Sequence, residues 1–77
     1  MSSPLPPRTV RILEEPIELV RFLKFAGLFG SGGEAKLAIV NGLVELNGSA
    51  ETRKGKKLRA GDMVSVNGQT LLVEVGA

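Results

Sequence analysis

The chain has 77 residues, 43% hydrophobic and 23% charged, with ten Lys and Arg against eight Asp and Glu for a formal net charge of +2. That length holds one domain, which buries only about 60% of its unfolded surface, so a deep substrate cavity is not expected. With no Cys and no His there are no disulfides, thiolate metal sites or imidazole chemistry, and no apolar run approaches the roughly 20 residues of a membrane span.

Three of the four prolines lie within Ser2 to Pro7, so residues 1–8 are expected to form a disordered N-terminal tail and residues 9–77 a single domain. No basic stretch followed by an apolar one stands at the N-terminus, and a cytoplasmic location is expected. Val10 and Ile12 alternate with Arg11 and Leu13 as in a short strand, which Glu14, Glu15 and Pro16 end. From Glu18 onward, Leu19, Phe22, Leu23 and Ala26 recur at helical spacing, and Gly27 stands where a C-terminal cap belongs. Arg21 and Lys24 fall on the opposite, solvated face.

Ser31 and Glu34 have the spacing of a capping box, which predicts a second helix with Ala35, Ala38 and Ile39 as its apolar stripe and Asn41-Gly42 as its stop. The remainder reads as β: Val44 and Leu46 before Asn47-Gly48, Val64 and Val66 before Asn67-Gly68, then Leu71, Val73 and Val75. Asn-Gly is the strongest short hairpin signal, because both residues accept the positive φ of a type I′ turn. These segments predict two hairpin-like reversals and a small antiparallel sheet.

Between the first and second of these segments, Arg53, Lys54, Lys56, Lys57 and Arg59 place half of the chain's cations in seven residues, with no acid between Glu51 and Asp62. Since the rest of the chain is nearly balanced, this is a local positive field suited to phosphate-bearing partners. The plain alternative is a solvated turn that keeps a small protein soluble.

The order and spacing of Phe22-Leu23-Lys24, Ala26-Gly27-Leu28, Gly32 to Lys36, Gly42, Val44, Asn47-Gly48, Glu51-Thr52-Arg53, Lys57-Leu58-Arg59 and Gly61-Asp62 with Val64 resemble the alpha-L RNA-binding motif. This is the S-four-like ribosomal protein domain, and the likeness is closest to its small stand-alone bacterial branch. The resemblance implies an α+β fold in which two antiparallel helices pack on a small bent antiparallel sheet, with structured RNA, ribosomal or transfer, bound across the second helix and the loop after about the third strand. It also implies a ribosome association and a monomer. Gly32 and Gly33 stand where many members carry Ser or Thr followed by Arg, so the usual helix-borne Arg is missing.

A substitute exists in the residues themselves. Ser31-Gly32-Gly33 opens a helix, where unpaired amides and the dipole favour an anion and two residues without Cβ let a phosphate approach the backbone. The alternative is a flexible cap. No Lys-Ser or Lys-Thr pair stands at P-loop spacing, so nucleotide hydrolysis is not supported. Lys36, one turn into that helix, is placed to reach the same phosphate track. Arg21 and Lys24 form a second tier, because an amphipathic helix carries polar residues on its outer face in any case.

The candidate RNA-binding set is therefore Ser31, Gly32, Gly33, Lys36, Arg53, Lys54, Lys56, Lys57 and Arg59, with Arg21 and Lys24 in reserve. The three aromatics are Phe22, Phe25 and Phe29. Phe22 belongs to the core stripe, and Phe29, in the inter-helix loop, is either a lid on the core or a stacking platform. Without Tyr, Trp or His, recognition by shape and phosphate fits better than reading of single strands. The sole Asp, Asp62, comes after a glycine in a turn, where its carboxylate ordinarily caps a backbone amide. No carboxylate pair suited to general acid–base work is visible, so a non-catalytic protein without cofactor or metal is expected. The competing reading is a protein-interaction adaptor that docks an acidic surface through the basic loop, with Val20, Leu37 and Val40 as an apolar patch.

Overall fold

A computed structural model describes residues 7–76; the expected tail lies outside the described residues except for Pro7 and Arg8. The elements in chain order are β1 (Arg8–Ile12), β2 (Ile17–Glu18), α1 (Leu19–Phe25), α2 (Gly32–Val40), β3 (Glu45–Leu46), β4 (Ser49–Ala50), β5 (Lys57–Leu58), β6 (Met63–Val66) and β7 (Gln69–Val75). The architecture is α+β, with two helices and a five-stranded sheet in the order β1-β7-β6-β3-β4. The sheet is mixed: β3, β4, β6 and β7 pair antiparallel, whereas β1 lies parallel to β7 with Val10 opposite Val73. β2 and β5 form a separate two-stranded ribbon.

Both hairpins close as Asn-Gly requires. Leu46 pairs with Ser49 across Asn47 (φ 51°) and Gly48 (φ 89°), and Val66 with Gln69 across Asn67 (φ 53°) and Gly68 (φ 76°). The first hairpin returns for only two residues, Ser49 and Ala50, and β3 is also paired on its other side by β6.

Both helices end in Schellman motifs. In α1 the amide of Gly27 donates to the Lys24 carbonyl and that of Leu28 to Leu23; in α2 Gly42 donates to Ile39 and Leu43 to Ala38. Gly27 and Gly42 have φ of +78° and +76°, which only glycine adopts without cost. The Arg8 guanidinium adds a 2.6 Å bond to the Ala26 carbonyl, so β1 braces the C-terminus of α1.

The apolar stripes meet in one core. Phe22, Leu19 and Leu23 of α1, Ala35 and Ile39 of α2, Val44 just before β3, and Leu58, Val64 and Leu71 from the strands are all fully buried. Among the described residues no polar or charged side chain is buried, so the core is held by apolar burial alone. Leu58 ties the cationic segment to this core, since it is the one buried side chain between Arg53 and Arg59. Leu58→Ala is expected to destabilise the domain by roughly 2–5 kcal/mol, measured by urea unfolding; a loss below about 1 kcal/mol would mean that the segment is not anchored through this side chain.

Candidate nucleic-acid interface

The cationic segment comes after the fourth strand rather than the third, and β5 lies within it. It has little regular structure of its own, and four attachments hold it. Its backbone caps α1: Glu18, the N-cap residue, makes no side-chain cap bond, and the amides of Leu19 and Val20 donate instead to the carbonyls of Lys56 (2.8 Å) and Lys54 (3.1 Å). These are amides that a helix start leaves without an internal partner. Leu58 is buried beneath it, and β5 pairs with β2.

Carboxylates pin the two ends. Glu51 accepts from the Arg53 amide at 3.1 Å and from its guanidinium at 2.9 and 3.2 Å. At the far end Asp62 accepts from the Arg59 amide at 2.8 Å, as its place after Gly61 suggested, and Glu15 accepts from the Ala60 amide at 2.7 Å. Asn47 ties this turn to the sheet by donating to Asp62 and accepting from the Met63 amide.

The five cations are consequently not equivalent. Arg53 is engaged by Glu51, and Lys57 lies 3.4 Å from Glu18. The Arg53 side chain, by hydrogen bonding, holds the Glu51 carboxyl below the usual carboxylate range, and the Arg53 amide adds to this. Among the described residues, Lys54, Lys56 and Arg59 have side chains with no ion pair. Lys54 and Arg59 are exposed and Lys56 is half-buried.

At the start of α2, Ser31 is the N-cap residue, and its hydroxyl accepts from the Glu34 amide at 3.3 Å. Only this half of the expected capping box forms. The Glu34 carboxylate lies over Gly30 instead, with both oxygens within 3.7 Å of where a Gly30 Cβ would stand. Gly32 and Gly33 have no positive φ; a Cβ at Gly32 would meet nothing within 4 Å, and one at Gly33 only the Ser31 hydroxyl at 3.8 Å. Neither glycine is required by the domain's own packing. Lys36 is exposed on α2, and Arg21 and Lys24 on α1.

Phe29 is partly buried against the core, which makes it a lid. The exposed aromatic is Phe25, 58% accessible at the last position of α1, where it lines a shallow cleft with Arg21. Val20 also packs against the core and so leaves the apolar patch expected of it, whereas Leu37 and Val40 are exposed and are joined by Leu43. The residues that sequence reasoning missed are Glu15, Glu18 and Glu51, whose partners lie on other elements or depend on a loop geometry that spacing does not reveal. No helix among the described residues is long and apolar enough to cross a membrane, and no group of potential metal ligands is found among them.

The family model described as "S4 domain" matches residues 10–74. YbcJ of Escherichia coli (strain K12), whose name puts it forward as an RNA-binding protein, is 44% identical over 57 residues, covering 74% of this chain and 81% of that protein. RlbA of Bacillus subtilis (strain 168), whose name proposes ribosome maturation, is 39% identical over 59 residues, covering 77% and 83%. The solution structure of E. coli YbcJ, described as revealing an alpha-L motif involved in RNA-binding, superposes with a TM-score of 0.62 at 36% identity, over 96% of this chain and 91% of that one.

Because glycine in a helix costs about 1 kcal/mol relative to alanine and nothing internal demands it here, Gly33→Ala is expected to raise stability by roughly 0.5–1 kcal/mol in chemical denaturation. A destabilised variant would show that the glycine serves the fold.

Proposed function

This chain belongs to the S4 domain family, and we propose that it is a non-catalytic RNA-binding protein that recognises structured RNA, ribosomal or transfer, by phosphate geometry and in association with the ribosome. The observation that carries the reading is the fastening of the cationic segment through its backbone carbonyls and Leu58, which leaves Lys54, Lys56 and Arg59 without an ion-pair partner among the described residues. A merely solvating turn needs no such anchorage. The names of YbcJ and RlbA support the choice of RNA and of the ribosome respectively.

In this reading Arg53, Lys54, Lys56, Lys57 and Arg59 neutralise successive phosphates, and Ser31, Gly32 and Gly33 offer backbone amides at a helix start to another. The two glycines, dispensable to packing, keep that helix end open to a backbone phosphate. Lys36 extends the track along α2, while Arg21 and Lys24 flank it on α1. Arg53 and Lys57 exchange a carboxylate for a phosphate, so each contributes less net affinity than a cation without a partner.

One observation favours a second reading, that of a protein adaptor: Leu37 and Val40 of α2, and Leu43 in the connection after it, are large apolar side chains left exposed. Salt dependence separates the two. With about four to five phosphates neutralised, log K for a structured RNA should fall against log salt with a slope of roughly −3 to −5. Replacing Lys54, Lys56 and Arg59 together by Ala should reduce the slope by about 2 to 3 and change stability little, since Lys54 and Arg59 are exposed, Lys56 is only half-buried, and none of the three is in an ion pair among the described residues. Gly33→Glu, which places a carboxylate at the α2 start, should also weaken binding. Unchanged affinity and slope in the triple variant would contradict the assignment.

RNA affinity should also be nearly flat from about pH 6 to 8.5 at constant ionic strength, because Lys and Arg side chains stay protonated and phosphodiesters anionic throughout. The depressed value of Glu51 agrees in sign: its stabilising pair is complete above the ordinary carboxylate range and is lost only as pH falls through the lowered value, well below this window. Fluorescence anisotropy of a labelled RNA hairpin checks this, and a tenfold change within the window would contradict a contact surface of fixed charge.

A further inference from the structure

The cleft beside Phe25 is not needed by a surface that reads only phosphates. It encloses about 390 Å³, near the lower end of the roughly 300–1,000 Å³ of small-ligand clefts. Its walls come from the β1–β2 connection, β2, α1 and β5: Leu13 and Ile17 with Phe25 on the apolar side, Arg21 and Lys57 as cations, and Glu14 and Glu18 as carboxylates. A second depression shares Ile17, Arg21 and Phe25 and adds Lys24. Phe25 and Leu13 are 58% and 84% exposed, large apolar groups left in water. Arg21, Lys24 and Phe25 lie at i, i+3 and i+4 on α1, so the two cations and the ring share one side of the helix.

Resting on the RNA-binding reading above, we propose that this cleft receives one unpaired nucleotide of the bound RNA, its base against Phe25 and its flanking phosphates on Arg21 and Lys24. Charge distribution selects that occupant and that orientation. Glu18 is paired with Lys57, so the carboxylate left to repel a phosphate from the cleft and to accept hydrogen bonds from base amino groups is that of Glu14, while Arg21 and Lys24 attract the backbone on either side. An aromatic face is a base-stacking surface that tolerates any sequence. Lys57 lines the cleft and belongs to the cationic segment, so a strand leaving the phosphate track can enter it directly. The protein then distinguishes a helix bearing a bulged or terminal unpaired base from a continuous one.

The test compares two RNA hairpins that differ only by a single-nucleotide bulge in the stem, titrated against the wild-type chain, Phe25→Leu and Phe25→Trp. Since the chain has no Trp or Tyr, the Phe25→Trp variant carries a lone reporter whose emission is quenched by a stacked base. The wild type is expected to bind the bulged hairpin about tenfold more tightly than the paired one. Phe25→Leu should lose that preference while keeping its affinity for the paired hairpin, and Phe25→Trp should keep it and be quenched by the bulged hairpin only. Equal, salt-dependent binding of both hairpins by all three proteins would overturn the cleft assignment and leave the phosphate surface standing. Binding of neither hairpin would overturn the RNA reading itself and this proposal with it. Quenching of the Phe25→Trp variant by an apolar peptide but not by the bulged hairpin would assign the cleft to a protein and overturn the proposal as well.

Discussion

The start of α1 has no side-chain cap, and the domain solves this with the backbone of a segment almost forty residues away: Lys54 and Lys56 give their carbonyls to the Val20 and Leu19 amides. The positive end of the helix dipole thus meets peptide oxygens rather than a carboxylate. In a small domain with no buried polar side chain among the described residues, this contact and the burial of Leu58 let a stretch rich in like charges lie against the body of the protein. Had the same cations been fastened through their side chains, they would be neutralised where they stand.

The consequence is a division of labour within the segment. Backbone and one Leu hold it; Glu51, Asp62 and Glu15 fix its ends; the side chains of Lys54, Lys56 and Arg59 are left to act at a distance. In the proposed RNA-binding role side-chain entropy would still be lost when those chains found a phosphate, but the loop itself would not need to be ordered at that moment, which would lower the cost of binding. The hairpin at Asn47-Gly48 and the turn at Gly61-Asp62 are joined by the Asn47 to Asp62 bond, so the sheet and the segment are positioned together.

Much of this was legible in residue order. The stripe Leu19, Phe22, Leu23 and Ala26, the stops at Gly27 and Gly42 and the two Asn-Gly reversals are local rules, and local rules suffice where 3.6-fold or twofold periodicity meets a turn residue. The parallel placement of β1 beside β7 was not legible, because pairing between the two ends of a chain leaves no mark on local spacing. The same holds for β5, two residues that are a strand only because β2 is there to pair with them. At the candidate site, charge density located the segment but not its inequality, since Glu18 reaches Lys57 from another element and the Arg53 to Glu51 fork depends on a turn. Of the two alternatives open for Phe29 the lid is the one found, because the connection after α1 folds it back on the core, whereas the exposure of Phe25 at the end of α1 was not legible.

The central claim is that a backbone-anchored cationic segment, together with the open end of α2, forms one surface for structured RNA. Amide chemical-shift mapping of the isotope-labelled chain during titration with a ribosomal RNA hairpin tests it most directly. The account predicts shifts concentrated at Lys54, Lys56, Arg59, Gly32 and Gly33, with Leu19 and Val20 responding too because their amides sit on the segment's carbonyls. Shifts confined to Leu37, Val40 and Leu43, or no shifts at low salt, would contradict it.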